Sequence, residues 1–349
     1  MPRVPALLVV ALAVLACASP ARGEEWSPRL AAQYLDARQK DWSGWKPAAS
    51  PDGPCVSCHT GMTYLLARPA LRRALGDSQP TVYETGLLDR LRAHVGEKPT
   101  AALQGVEVIF AAMFLAQQDA AKKTMDADTR KAFDQLWALQ LTDGGTPGAW
   151  RWYAANLDPW ENPGSGFYGA SLAALALGAT PIEYSNGAQV LQQKTALMSY
   201  FNSPRPTPRP LHDRLALLWA SSKLPAVLSS DARTALVAEV FDKQQTDGGW
   251  TIESLGPWMA HPDAPPAPAG SHSYATGFTA YVLQQAGVAA SDPRVARALS
   301  WLTSHQDRET GAWPASSMNK RYPAGSMEAL FMQDAATAFA SLALVTGGR

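Results

Sequence analysis

The chain has 349 residues, 46% of them hydrophobic and only 17% charged, with thirty basic residues against thirty acidic ones. That balance removes the electrostatic case for a nucleic acid or an anionic membrane surface as partner. The apolar content suits a sizeable core rather than a disordered chain. Twelve tryptophans and 27 prolines point to aromatic-rich loops.

Met1–Gly23 reads as a secretion signal: Arg3, then the apolar run Val4–Ala16, then small residues. The run is too short to span a membrane as a helix. Cleavage fits after Ala18 or after Gly23. Val14-Leu15-Ala16-Cys17 loosely resembles a lipobox, so lipoprotein anchoring at Cys17 is a further option. The expected location is periplasmic or otherwise exported, with no transmembrane span in the mature chain.

From there a helix, a loop and a more apolar helix recur six times. The pairs are Ser27–Lys40 with Thr60–Leu75, Val82–Val95 with Gln104–Ala120, and Asp128–Gln140 with Gly166–Gly178. Then come Ile182–Asn202 with His212–Leu224, Asp231–Gln245 with Ser273–Gly287, and Asp292–His305 with Asp334–Thr346. Asp128, Asp231 and Asp292 stand where N-caps belong. Gly178, Gly287 and Gly347 stand where helices should stop. The first member of each pair spreads its charges along one face, as in Asp231, Arg233, Glu239 and Lys243. The second is nearly uncharged, as in Tyr168-Gly-Ala-Ser-Leu-Ala-Ala-Leu-Ala-Leu-Gly178. Amphipathic helices belong outside and all-apolar helices inside. The pattern therefore predicts an all-α, six-hairpin α/α toroid over residues 24–349 as a single domain. A generic helical solenoid is the alternative.

Three loops share a pattern: Gln140-Leu-Thr-Asp-Gly-Gly-Thr-Pro-Gly-Ala-Trp150, Gln244-Gln-Thr-Asp-Gly-Gly-Trp250 and Gln306-Asp-Arg-Glu-Thr-Gly-Ala-Trp313. This Gln…Gly-x-Trp repeat resembles the QW repeat of the squalene–hopene cyclase and prenyltransferase superfamily, over roughly residues 80–349. Only Gln244…Trp250 has the strict spacing. The resemblance implies the toroid, with each glutamine tying outer helices together. The D-x-D-D acid of the proton-initiated cyclases is absent, Asp126-Ala-Asp128 being the nearest match. The Asp/Cys/His zinc site of the protein prenyltransferases is not reproduced either.

The sharpest chemical signal is Cys55-Val-Ser-Cys58-His59 in a chain with three cysteines. C-x-x-C-H reads as a c-type haem attachment site: two thioethers to the porphyrin, with His59 as proximal iron ligand. A Cys55–Cys58 disulfide is the alternative. Trp42 and Trp45 offer cover for a porphyrin edge. Arg68 and Arg72, four residues apart, could pair with propionates or form a solvated face. Pro69 should kink or break its helix. For the sixth ligand the candidates are His272, His212, Met332 and Met62, with His272 first and a five-coordinate iron equally open. The proline-rich stretch Pro257–Gly270 is a candidate lid. Catalytic candidates at the inner-helix entries are His272, Tyr274, Tyr168, Asp334 and Glu107. Each has a bland reading, such as helix capping for Asp334 and packing for the tyrosines.

The expectation is an exported protein with one covalent haem c, acting in electron transfer or in haem-dependent oxidation of an apolar, isoprenoid-like molecule in the central cavity. A periplasmic redox partner would accompany it. The alternatives are an isoprenoid cyclase or isomerase with Asp334 or Glu107 as acid, and a non-catalytic lipid-binding scaffold.

Overall fold

The computed structural model describes residues 26–50, 53–96, 104–204, 208–259, 261–266 and 268–349. The expected export segment, Cys17 included, lies outside them. Outer helices α1 (Pro28–Gly44), α3 (Val82–Ala93) and α5 (Ala127–Ala138) alternate with inner helices α2 (Gly61–Leu75), α4 (Gln104–Lys122) and α6 (Gly166–Ala179). A one-turn helix α7 (Ile182–Ser185) leads into outer α8 (Leu191–Asn202), followed by inner α9 (Leu211–Ser221). Outer α10 (Ser230–Asp242) and α12 (Pro293–Ser304) alternate with inner α11 (Ser273–Gln285) and α13 (Phe331–Thr346). A two-residue antiparallel ladder, β1 (Ala49–Ser50) with β2 (Gly53–Pro54), precedes α2. The inner helices pack side by side in the order α4, α6, α9, α11, α13, α2, and α3 bridges α2 to α4. This is the expected α/α toroid.

Composition explains who goes inside. Every residue from Phe167 to Leu177 on α6, Ser273 to Leu283 on α11 and Asp334 to Leu344 on α13 is buried. Outer α12 buries only the stripe Val295, Ala298, Leu299, Trp301 and Leu302. Small residues set the inner spacing: a Cβ on Gly277 of α11 would stand 2.7 Å from the backbone nitrogen of Ala340 on α13. The stretch Glu328–Thr346 is long and apolar enough to cross a membrane, but 67% of its apolar window is buried in the toroid. Its hydrophobicity belongs to the core.

Local details shift by a residue or two from the sequence reading. Asp292 caps α12 as expected, its side chain accepting from Arg294 N. Asp128 and Asp231 lie in first turns, behind the caps Asp126 and Ser229, where acids still favour the helix dipole. Pro69 sits within an unbroken α2. Gly178 lies inside α6 rather than after it.

The three Gln…Trp loops are one repeated tie. Gln140 Nε2 donates to Gly148 O (2.9 Å) and to Gln193 O of α8 (3.0 Å). Gln244 Nε2 donates to Gly248 O (2.7 Å) and to Arg294 O of α12 (2.8 Å). Gln306 Nε2 donates to Gly311 O (2.9 Å) and to Ser27 O (3.0 Å), while its Oε1 accepts from Ser27 N (2.6 Å). The tryptophans satisfy the other end: the indole N–H groups of Trp150, Trp250 and Trp313 donate to Leu136, Val240 and Leu302 carbonyls at the ends of the preceding outer helices. The turn itself demands glycine. Gly248 has φ +100°, and a Cβ there would lie 2.8 Å from Arg297 O.

The third tie joins residues 279 apart in sequence and so closes the ring onto the N-cap of α1. Gln306→Ala should destabilise the protein by about 1–3 kcal/mol, because buried backbone groups lose their partners. Urea unfolding measures this. Amide exchange should rise in the first turn of α1 and not in α10; uniform protection would refute the closure role.

Candidate active site

Three loops meet at one end of the toroid: the turn entering α2, the segment before α6 and the segment before α13. In the second, Leu157 and Glu161 pair backbone to backbone, Glu161 N to Leu157 O at 2.8 Å and Leu157 N to Glu161 O at 3.1 Å. The short loop between them presents Asp158 and Trp160. Asn319, from the third segment, clamps this loop by accepting from Asp158 N and donating to Asp158 O, both at 2.8 Å.

Together these segments enclose a cavity of about 130 Å³. His59 forms one wall. Leu157, Asp158, Trp160 and Glu161 form the second, and Asn319, Tyr322, Glu328, Phe331 and Met332 contribute to the third. Among the described residues the charged side chains lining it are all carboxylates, with no lysine or arginine.

The three carboxylates differ. Asp158 is tied down: Asn162 Nδ2 donates to Oδ1 (2.6 Å) and Met259 N to Oδ2 (2.7 Å). Burial pushes its carboxyl up while those two donors pull it back. Met259 thereby fastens the proline-rich stretch over this end of the toroid. Glu161 has no side-chain hydrogen bond or ion pair among the described residues, and burial alone pushes it up to about 7. Glu328 stands half-buried on a turn of 3₁₀-helix, Glu328–Leu330, just before α13.

Behind the cavity run two buried hydrogen-bond chains. In the first, Trp160 Nε1 donates to Tyr274 OH (3.1 Å), which contacts His212 Nε2 (2.9 Å), and His212 Nδ1 lies 3.1 Å from Asp213 Oδ1. In the second, His59 Nδ1 lies 2.9 Å from Thr60 Oγ1, which donates to Asp334 Oδ2 (2.7 Å). Asp334 also accepts from Tyr34 OH (2.9 Å) and from Arg38 Nε (2.7 Å) and Nη2 (3.1 Å). Burial pushes the Asp334 carboxyl up, against the pull of Arg38, Thr60 and Tyr34. Burial, reinforced by the nearby Arg38 charge, pushes His59 down to about 3, so its ring is neutral.

The other sequence candidates fall elsewhere. Tyr168 is fully buried, stacked on His212 at 5.3 Å, with its hydroxyl unpartnered. Tyr274 is equally buried, a link in the first chain rather than a cavity wall. His212 is buried too, not solvated. Asp334 lies within the first turn of α13, four-fold hydrogen-bonded rather than acting as its cap. Glu107 is half-buried on the first turn of α4 and helps raise Cys55. His272 lines a separate open cleft of about 690 Å³ with Asp247 and Trp301, and so does not face His59.

The haem expectation fails on the residues themselves. Neither cysteine is among the residues lining the cavity that His59 lines, so this cavity does not bring the three side chains together. One face of the His59 ring is covered by Phe331, stacked at 3.6 Å and 20°, and Trp42 packs edge-on at 5.1 Å. The tryptophan cover is therefore spent on His59 itself. Arg68 and Arg72 are engaged with Asp36 (3.0 Å) and Glu84 (3.2 Å), not free for propionates. Among the described residues no cluster of three or more His, Cys, Asp or Glu side chains could hold a metal. His59 and His272 are not a ligand pair.

No family model matches the sequence, and no curated protein matches it. The fold, however, is shared with carbohydrate-active proteins. A polysaccharide lyase superposes with TM-score 0.55 at 12% identity, covering 91% of this chain and 96% of its own. An α-1,6-mannanase from Salegentibacter sp. HEL1_6 gives 0.54 at 12% identity, covering 91% and 100%. An inactive variant of that mannanase, solved with an α-1,6-mannotetraose, has two consecutive aspartates replaced by alanine. A glycosidase variant gives 0.54 at 11% identity, covering 92% and 98%. These likenesses establish the α/α toroid. They correct the resemblance to squalene–hopene cyclases and prenyltransferases: the Gln…Trp tie is a device of ring construction here, not a mark of that superfamily. With it fall the isoprenoid cyclase and lipid-scaffold readings and the haem oxidoreductase reading.

The cavity carboxylates Asp158, Glu161 and Glu328 lie in loops before the inner helices and are not among the sequence candidates, which stand at the inner-helix entries. The available signal was loop length: the stretches between Trp150 and α6 and between Trp313 and α13 are too long for simple connections.

Burial also fixes the cysteines. Cys58 is buried and raised, and burial, followed by the charges of Glu107 and Glu161, pushes Cys55 up to about 11. In a chain beginning at Glu24, both thiols should react slowly with an aromatic disulfide reagent at pH 8 and rapidly in urea. A fast native thiol would contradict this placement.

Proposed function

We propose that this protein cleaves a glycosidic bond in a neutral glycan by acid–base chemistry in the cavity of Glu161. The observation that carries the reading is the Glu161 carboxyl: unpartnered, half-buried, and pushed up to about 7 by burial. A carboxyl held protonated near neutral pH is the general acid that protonates a departing glycosidic oxygen. Glu328 supplies the second carboxylate that such chemistry requires. Trp160 and Tyr322 give aromatic surface for a sugar ring.

The charge of the lining chooses between hydrolysis and elimination. A lyase substrate carrying a uronate needs a cation or a neutralising donor at its carboxylate. A wall of Asp158, Glu161 and Glu328 without lysine or arginine repels it. A neutral saccharide meets no such penalty. The names of the structural neighbours, a mannanase and a glycosidase among them, support the class but not the linkage. This chain contains no Asp-Asp pair like the one altered in the inactive mannanase, so the acid role falls to other residues. An exported enzyme acting on an extracytoplasmic glycan also suits the N-terminal segment.

Reducing-end release from α-1,6-mannotetraose, cellotetraose and maltotetraose tests the reading. The acid must be protonated, so kcat/KM should fall as pH rises through about 7. Glu161→Gln should lower it by about 10²–10⁴-fold. The linked stability runs the same way. Glu161's contribution is full below about pH 4, its unfolded range, and is lost as pH climbs through about 7. No turnover of any neutral glycan, or an unimpaired Glu161→Gln, would overturn the assignment.

A further inference from the structure

The second buried chain leaves no freedom in its hydrogen positions. Gln333 Nε2 donates to Tyr34 OH (3.0 Å), so the Tyr34 hydrogen must go to Asp334 Oδ1. The Arg38 guanidinium, always protonated, donates to both carboxylate oxygens. Asp334 is then an acceptor throughout, and Thr60 Oγ1, 2.7 Å from Oδ2, has to be the donor. Having given its only hydrogen to Asp334, Thr60 Oγ1 can only accept at its 2.9 Å contact with His59 Nδ1. His59 therefore carries its proton on Nδ1. Its Nε2 is a bare lone pair on a ring that lines the cavity of Glu161 and is clamped by Phe331 and Trp42.

We propose that Asp334 and Thr60 are positioning residues that hold His59 in the Nδ1–H tautomer, so that Nε2 is a fixed acceptor for a hydroxyl of the ligand in this cavity. The inference rests on the reading that a glycan binds there, and it adds a requirement. The sugar unit must present a hydroxyl to His59, because an ether or a deoxy position leaves a buried acceptor unpaired. Discrimination of this kind reaches several orders of magnitude when a site is built to bond a hydroxyl. The arrangement also divides labour in the cavity: Glu161 offers a proton, and His59 receives a hydrogen bond without taking the proton.

Long-range ¹H–¹⁵N spectra of the labelled protein read the tautomer directly, independently of turnover. The expected result is a protonated Nδ1 and an unprotonated Nε2 at His59. Thr60→Val should abolish this preference and Thr60→Ser should keep it. With whichever of the three tetrasaccharides is cleaved, Thr60→Val should lower kcat/KM by about 10²-fold, as for a misplaced contact. Thr60→Ser should restore it, and the limb near pH 7 should remain in both. A protonated Nε2 in the unaltered protein overturns the relay whatever the glycan assays give. The expected tautomer with undiminished kcat/KM in Thr60→Val overturns the positioning role and leaves the Glu161 assignment standing.

Discussion

The buried carboxylate of Asp334 is the constraint around which one seam of the ring is organised. It sits on α13, its main counter-charge Arg38 and the donor Tyr34 come from α1, and Thr60 stands at the entrance of α2. A fully buried charge costs several kcal/mol unless paired and hydrogen-bonded, and here all its acceptor positions are used. Arg38, in turn, is held above its usual range: burial lowers it, but the hydrogen bond and charge of Asp334 outweigh that. A hydrophobic replacement could match the stability of such a cluster, but not its directionality. Three helices distant in sequence are fixed in one rotational setting, because a small rotation of α1 would leave both charges unpaired. The same seam is closed a second time by Gln306 and Ser27 through an uncharged amide. Ring closure thus depends on polar groups of exact valence, while the apolar inner helices supply the bulk of the stability.

The cavity inherits its rigidity from these buried chains. Trp160 and His59 stand 6.3 Å apart as ring centroids on its walls, and each is anchored from behind through a hydroxyl to a buried aspartate, Asp213 or Asp334. Neither ring can turn without breaking a buried hydrogen bond, at roughly 1–3 kcal/mol each. Glu161 is the opposite case. It is held by its backbone pairing with Leu157 and has no side-chain partner among the described residues, so burial raises its carboxyl unopposed. A scaffold that anchors Asp158, Trp160 and His59 and leaves the buried Glu161 carboxyl without such an anchor concentrates reactivity at that acid.

Much of the ring was legible from residue pattern. The uncharged run Tyr168–Gly178 could only be an inner helix, and the Gln…Gly-x-Trp loops marked the ends of α5, α10 and α12. Those signals are local, since periodicity and turn chemistry act over a few residues. The cavity is not local. Asp158 and Asn319 are 161 residues apart, and their clamp depends on how two irregular segments cross, which no periodicity encodes. The tie was legible as geometry and misleading as ancestry. A glutamine that bonds a left-handed glycine's carbonyl and the next helix start is a solution any such ring can reach.

Cys55–His59 shows how a short motif can mean something other than its usual chemistry. Ser57, between the two cysteines, accepts from the backbone N–H groups of Thr60 and Gly61, both at 3.1 Å, and so satisfies donors at the start of α2. Thr63 returns a hydrogen bond to the His59 carbonyl. Trp42 Nε1 donates to Cys55 O at 2.8 Å, and Cys58 joins the hydrophobic core. Cys55, Ser57, Cys58 and His59 are thus accounted for by the turn they build. Cys58 serves as a small buried apolar group, which is among the commonest roles of that side chain, and Cys55 is half-buried. What the turn delivers is the histidine, placed at a helix entrance with Nδ1 committed to Thr60 on a ring that lines the cavity. The motif thus marks a histidine that lines the cavity at this end of the toroid. Its chemistry follows from Thr60 and Asp334, the residues that fix its proton.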